Sequence, residues 1–219
     1  MSEPPNQESP PPRVRWRAVV GILLVMGMAG GWWAMNRQKG LMQANAIRAL
    51  RQLGCAVYLD YQWHDDHPLP GTKPPEARWV RTLFGDAALR RAPAVDARNV
   101  TDLDTALDNL KWLPYLQYLD LAGTPFTDAH AAALHKAHGL LSLDLSDTRL
   151  TDDGMADITS LRQLVTLSLA GTQVSGRSVF GLAQMSALRT LDLSRTHFDR
   201  DSLRLLQTQL SKCKIVRTP

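Results

Sequence analysis

Little in this 219-residue chain suits covalent chemistry. It has no G-x-S-x-G and no glycine-rich phosphate loop, so neither a hydrolase nucleophile nor a nucleotide phosphate has its usual framework. Ser and Thr are plentiful, but a repeat pattern accounts for most of them. Cysteine is scarce: Cys55 and Cys213 bracket the periodic part of the sequence. Several strand spacings of about 4.8 Å separate them, more than the roughly 7 Å between Cα atoms that a disulfide spans, so they are expected to stay unpaired. A basic stripe is also missing. Residues 1–93 hold 12 Lys/Arg against 7 Asp/Glu, and residues 94–219 hold 13 against 14. The excess positive charge therefore flanks the N-terminal apolar run, and a nucleic-acid-binding surface is not supported. The best metal-like cluster, His64-Asp65-Asp66-His67, lacks a second ligand pair at a fixed offset and reads as a polar loop. His130, His135 and His138 fall in one segment, where only His135 and His138 share a helical face; they read as solvent-facing. No metal or cofactor is expected, and no enzyme.

What the chain has is repetition. LDLAGTPFTD at 119–128 is rewritten as LDLSDTRLTD at 143–152, LSLAGTQVSG at 167–176 and LDLSRTHFDR at 191–200. Leu119, Leu143, Leu167 and Leu191 stand 24 residues apart. So do the columns beginning at Leu116, Leu121 and Thr124. A fixed period of this length marks a repeat architecture. Within each unit the pattern changes halfway. Leu119 and Leu121 alternate as in a strand, whereas Met155, Ile158 and Leu161, or Val179, Leu182 and Met185, are spaced by three. Thr127, Thr151, Ser175 and Asp199 precede these stretches and suit helix N-caps. The Thr124, Thr148, Thr172 and Thr196 hydroxyls are expected to bind backbone groups in the turn or to link one unit to the next. One unit cannot bury its own apolar face, so the copies are required for stability.

The pattern L-x-x-L-x-L-x-x-T-x-[FLV]-[TS]-D resembles the leucine-rich repeat family, and the threonine and T-D variant is similar to bacterial members of it. The run ALRQLGCAVYLDY before the array resembles bacterial membrane-anchored members. The resemblance implies an α/β solenoid, with parallel strands on the concave face and helices or helical turns on the convex face, that acts in recognition rather than catalysis. Residues 115–209 carry four repeats. Val95 to Asp102 read as a degenerate first unit, offset by 26 when Val100-Thr101-Asp102 is aligned with Phe126-Thr127-Asp128. Residues 210–219 form a closing strand and tail.

Upstream, residues 1–17 read as a disordered proline-rich tail. Residues 18–35, AVVGILLVMGMAGGWWAM, carry no charge and are about long enough to span a bilayer. Trp32 and Trp33 lie near one end, where indoles favour the interface. The segment reads as a transmembrane anchor; a cleaved signal peptide ending at Ala29 is the alternative. Three basic residues precede the run and four follow within 36–51, so charge alone does not orient it. The family resemblance places the repeats on the extracytoplasmic side of the cell membrane. Residues 36–75 read as a juxtamembrane helix, in which Met42, Ala46, Leu50 and Leu53 form the apolar stripe, followed by a short strand and a linker. Residues 76–114 read as an N-terminal cap, with a helix over 76–91, and the degenerate repeat.

Residues between the strand leucines point away from the core. Tyr118, Ser142, Thr166 and Thr190 form one column, and Asp120, Asp144, Ser168 and Asp192 the next. Neighbouring aspartates there repel. Pro125, Arg149, Gln173 and His197 form an edge column. Tyr118, Asp120, Asp144, Asp192, Arg149 and His197 are the candidate partner-binding residues. The partner is a protein or cell-envelope component; the alternative is a structural subunit packed permanently in a larger membrane complex. The anchor reading has a direct check. After carbonate extraction the full chain should remain in the membrane pellet with its N-terminal residues intact; a soluble product beginning at Gly30 would show a signal peptide instead.

Overall fold

The computed structural model describes residues 16–64, 67–68, 92–137 and 139–218. Residues 1–15, Asp65, Asp66, residues 69–91 with the helix expected over 76–91, and His138 lie outside them. Five parallel steps join six strands: β4 (Ala94–Asp96), β5 (Tyr118–Asp120), β6 (Ser142–Asp144), β7 (Thr166–Ser168), β8 (Thr190–Asp192) and β9 (Lys214–Val216). Every pairing advances the sequence by 24 residues, as in Val95 to Leu119 to Leu143. The degenerate first unit therefore keeps the strand register. Its offset of 26 arises because the turn after β4 is shorter than the later ones. A short strand, β1 (Ala56–Tyr58), completes the sheet by pairing antiparallel to β4. A separate two-stranded pair, β2 (Trp63–His64) and β3 (His67–Pro68), sets His64 opposite His67.

The period-2 pattern is realised as burial. Leu119, Leu143, Leu167 and Leu191 are buried while their strand neighbours are half-exposed. Leu116, Leu121, Phe126 and their 24-residue equivalents join them in one continuous core. Burying a leucine contributes about 2 kcal/mol, and here it is buried only because another unit lies on each side. The return segments are short: Asp128–Ala131, Met155–Thr159 and Val179–Ala183 are helical, with longer helices at Leu103–Leu110 and Arg200–Gln209. Met155, Ile158, Val179, Leu182 and Met185 are buried, as their spacing requires.

The threonine hydroxyls bind backbone groups in the turn, as expected, and other polar groups link the units. The threonine hydroxyls stay within their own unit: Thr124, Thr148, Thr172 and Thr196 donate to the carbonyls of Leu121, Leu145, Leu169 and Leu193 at 2.6–2.7 Å. The links between units come from the aspartate after the cap position. Asp128 accepts from the Thr151 N–H and hydroxyl, both at 2.8 Å. Asp152 accepts from the Ser175 N–H at 3.0 Å and its hydroxyl at 2.5 Å, and from the Ser178 hydroxyl. These donors hold the Asp152 carboxyl below its ordinary value against the opposing effect of burial. Thr151 is not the cap of its helix, which begins four residues on, after Gly154; the Thr151 hydroxyl accepts from the Asp153 N–H at 3.2 Å in the intervening turn. Ser175 and Asp199 do cap, accepting from the Arg177 and Ser202 N–H groups. Thr127 precedes its helix, with its N–H bonded to His130 Nδ1 at 2.9 Å. His130 is therefore half-buried rather than solvent-facing, whereas His135 is exposed and meets Asp157 at 2.7 Å.

The N-terminal end of the core is closed by one helix, α1 (Trp16–Gln52). It runs without a break through position 36, where a boundary between anchor and juxtamembrane helix was expected. Its buried stripe is Gln43, Ala46, Ile47 and Leu50, with Met42 exposed. Gly54 ends it at φ +88°, tight against the Asn99 carbonyl, and the Thr101 N–H donates to the Leu53 carbonyl at 2.9 Å. Most side chains of 18–35 lie outside those described; among the described residues, no helix is long and apolar enough to cross a membrane. Cys55 and Cys213 are both free. They adjoin the first and last strands of the seven-stranded sheet, six steps of about 4.8 Å apart. Burial, helped by Asp96, pushes the Cys55 thiol up to about 11.

The turns after β5, β6, β7 and β8 each place one residue in the left-handed region: Gly123, Asp147, Gly171 and Arg195, at φ of 55–70°. Asp147 and Arg195 pair at 2.9 Å across the intervening repeat. They meet over Gly171, where an added Cβ would strike the Asp147 carboxylate and crowd Arg195. Gly123 has open space at the same point. Gly123→Ala should therefore cost only the left-handed strain, on the order of 1 kcal/mol. Gly171→Ala should lower the melting temperature further, and Asp147→Gly should bring the two substitutions level. Equal costs in the parent chain would overturn this account.

Candidate functional site

The sheet face opposite the helices forms a concavity of about 560 Å³ near its N-terminal end. Its apolar lining comes from Tyr58, Tyr118, Leu141 and Val165. Leu141 and Val165 immediately precede β6 and β7, so the period that builds the core also sets them in line. Asp96, Asp120 and Asp144 supply three carboxylates, and Arg98 one cation. Asp96, Asp120 and Asp144 are register partners on adjacent strands.

These aspartates have a structural task as well as a charge. Each sits at the end of its strand and accepts the N–H two residues on. Arg98 donates to Asp96 at 3.1 Å, Ala122 to Asp120 at 3.0 Å, Ser146 to Asp144 at 2.8 Å and Ser194 to Asp192 at 2.8 Å. An aspartate side chain that binds backbone in this way fixes a tight turn. The task uses one carboxylate oxygen and leaves the other available.

The charge is balanced unevenly. Arg98 grips Asp96 with two bonds, Nε to Oδ1 at 3.0 Å and Nη2 to Oδ2 at 2.6 Å, and its Nε also lies 3.2 Å from Asp120. These bonds hold the Asp96 carboxyl below its ordinary value. Asp120 shifts the other way: burial, reinforced by the negative charges of Asp144 and Asp96, raises it despite the Ala122 N–H and Arg98. Asp144 has no ion pair among the described residues; its Oδ1 takes the Ser146 N–H and hydroxyl. The Ser146 hydroxyl is also 2.7 Å from that of Ser168.

Of the six residues singled out from the sequence, Tyr118, Asp120 and Asp144 meet in the concavity. Asp192 lies two strands beyond Asp144, with Ser168 between. Arg149 and His197 are exposed on the edge column, outside the concavity. Their N–H groups bond back to Phe126 and Val174, which keeps that column in step. Asp96, Arg98 and Tyr58 were not singled out. Asp96 precedes Asp120 by 24 residues, the signal that a strand-based alignment of the first unit reads. Tyr58 arrives on the antiparallel strand, which no period announces.

Asp120 gives a pH-dependent prediction. Its folded-state value is raised, so ionised Asp120 opposes folding at neutral pH, and the penalty disappears once pH falls below the ordinary aspartate value of about 3.9. Asp120→Asn keeps an acceptor for the Ala122 N–H and removes the repulsion. It forfeits only a contact with Arg98, a largely exposed group whose ion pairs are worth little. The variant should melt slightly higher than the parent at pH 7, and its advantage should vanish at pH 3. A lower melting temperature at pH 7 would mean that the Arg98 contact outweighs the repulsion.

Residues 138–158 match the family model described as Leucine Rich repeat. No curated protein matches the chain. Among solved structures, the chain is similar to an internalin (inlF) from Listeria monocytogenes, with 19% identity, a TM-score of 0.42, and coverage of 54% of this chain and 38% of that one. It is also similar to an internalin C2 (inlC2) from the same organism, with 18% identity, a TM-score of 0.35, and coverage of 58% and 81%. The chain thus spans well under half the length of the first of these. The family match falls on the unit that carries β6, and with the unbroken 24-residue strand register it supports a leucine-rich repeat family for the array.

Proposed function

We propose that this chain is a membrane-anchored leucine-rich repeat protein of the bacterial type, with 24-residue units, that binds a protein or cell-envelope ligand without catalysis. Residues 18–35 serve as a single-pass anchor in the cell membrane, and the repeats face the extracytoplasmic side. The observation that carries the binding reading is the concavity: an apolar wall of Tyr58, Tyr118, Leu141 and Val165 beside three carboxylates and one arginine. Interfaces are anchored by aromatic groups in partly enclosed settings, and Tyr118 is a large aromatic on the repeat strands. A permanent subunit would present a broad apolar patch. Outside α1, the exposed large apolar residues described are Trp112, Tyr115, Phe180 and Leu205. They are few and form no broad patch on the sheet face, which favours a transient binder over a permanent subunit.

Crosslinking in native membranes, followed by mass spectrometry, supplies the partner. Tyr118→Ala combined with Asp144→Lys should abolish its capture while leaving the fold intact: both side chains lie off the core, and loss of the Asp144 bonds to Ser146 should lower the melting temperature only modestly. If a well-folded double variant still captures the partner, the concave face is not the binding surface, and the edge column with Arg149 and His197 becomes the place to test.

A further inference from the structure

The array repeats its carboxylates but not its arginine. At the Asp96–Asp120 step, Arg98 is hydrogen-bonded to Asp96 and ion-paired with Asp120. Asp120 and Asp144 form the next step, one register on. The residue 24 positions after Arg98 is Ala122. Ala122 reproduces the local geometry, since its N–H donates to Asp120 as that of Arg98 does to Asp96, but it brings no cation. Among the described residues, Arg98 reaches Asp120 from the Asp96 side, and no ion pair joins Asp144, so the repulsion between Asp120 and Asp144 is only partly offset. Beside this step stand Tyr118, Leu141 and Val165, which suit aliphatic side chains rather than further charge.

We propose that the Asp120–Asp144 step seats an arginine side chain of an extended peptide whose neighbouring residues are apolar, in the manner that Arg98 occupies the preceding step. The inference rests on the concave-face reading and adds the chemistry of the ligand. Charge complementarity selects the guanidinium, because a planar fork reaches two carboxylates at once. The apolar neighbours of the arginine lie against Tyr118, Leu141 and Val165. A peptide bearing Glu in place of the arginine would add a fourth carboxylate to the concavity and is rejected.

The test uses the full chain in detergent micelles at low salt, with acetyl-Val-Arg-Val-amide as the probe and binding read by calorimetry. The citrulline analogue has the same shape without the charge, and free arginine amide lacks the apolar flanks. The arginine peptide should bind at least tenfold more tightly than either. Ala122→Arg, which supplies the internal cation by analogy with Arg98, should abolish binding with the melting temperature maintained or raised. Asp144→Asn, a gentler change, should weaken binding at least tenfold and guards against misfolding of the first variant. Absence of binding, equal affinity for arginine and citrulline peptides, or unchanged affinity in both variants would overturn the proposal. Free arginine binding as tightly as the peptide would overturn its peptide part. A failed probe together with loss of the native partner in the Tyr118/Asp144 double variant would leave the concave face as the binding surface and remove only the arginine chemistry.

Discussion

The structure depends on one constraint: a 24-residue unit with a three-residue strand cannot bury its own leucines. Leu143 and Leu145 are fully buried because the units carrying β5 and β7 lie on either side. The energy of the core is therefore held at interfaces between copies, and nearest-neighbour contact governs everything else. The polar groups follow the same logic. The threonine hydroxyls satisfy carbonyls inside each turn, where burial would otherwise strand them. The Asp128–Thr151 and Asp152–Ser175 contacts tie each unit to the next on the other side of the turn. The tie lapses at the following step for a clear reason. The position equivalent to Asp152 is Gly176, and its partner position is Asp199, so an aspartate at 176 would meet a carboxylate instead of a hydroxyl. Gly176 is instead packed close to Ser202.

Periodicity also makes departures from it informative. At the left-handed turn position the sequence alternates Gly123, Asp147, Gly171 and Arg195. The glycine at 171 lets the two charged neighbours meet across it. Two residues after the end of each strand from β4 to β8 it reads Arg98, Ala122, Ser146, Ala170 and Ser194, and only the first brings a cation. The concave face is therefore not a uniform acidic stripe. Its acidity is partly offset by Arg98 at the first step, gains no further cation at the second, and falls at the third, where Ser168 faces Asp144 and meets the Ser146 hydroxyl. That places the sharpest electrostatic feature beside Tyr118.

Much of this was legible from residue spacing, because for the leucines period and burial are the same property. The strands, the continuous core, the closing strand at 214–216 and the half-exposed columns follow from it. What escaped did so for identifiable reasons. Aligning the first unit on its turn rather than its strand gave an offset of 26 and hid the equivalence of Asp96 with Asp120. Thr151 resembles Thr127 in sequence, yet a turn over 152–154 follows it and the helix starts only after Gly154. Aspartates that read as a charged column also act as turn acceptors, a role invisible until their backbone partners are placed. Tyr58 depends on the antiparallel pairing of β1 with β4, a contact between segments that share no period.

The same distinction bears on how the array is held. Gln43, Ala46, Ile47 and Leu50 close the end of the core, and they belong to the helix that begins at Trp16. An unbroken helix rises about 1.5 Å per residue, so position 35 lies only about 12 Å from the docked residue Gln43, with no flexible linker between. Under the proposed anchor, the solenoid is then set against the bilayer by a rigid strut, not tethered to it. The concavity lies at the same end of the sheet as that strut, since Tyr58 on β1 lines it and β1 follows the helix after the Gly54 turn. A partner engaging Tyr118 and Asp144 would thus be met close to the membrane surface. The distant repeats would serve chiefly to bury and support the units that make the contact.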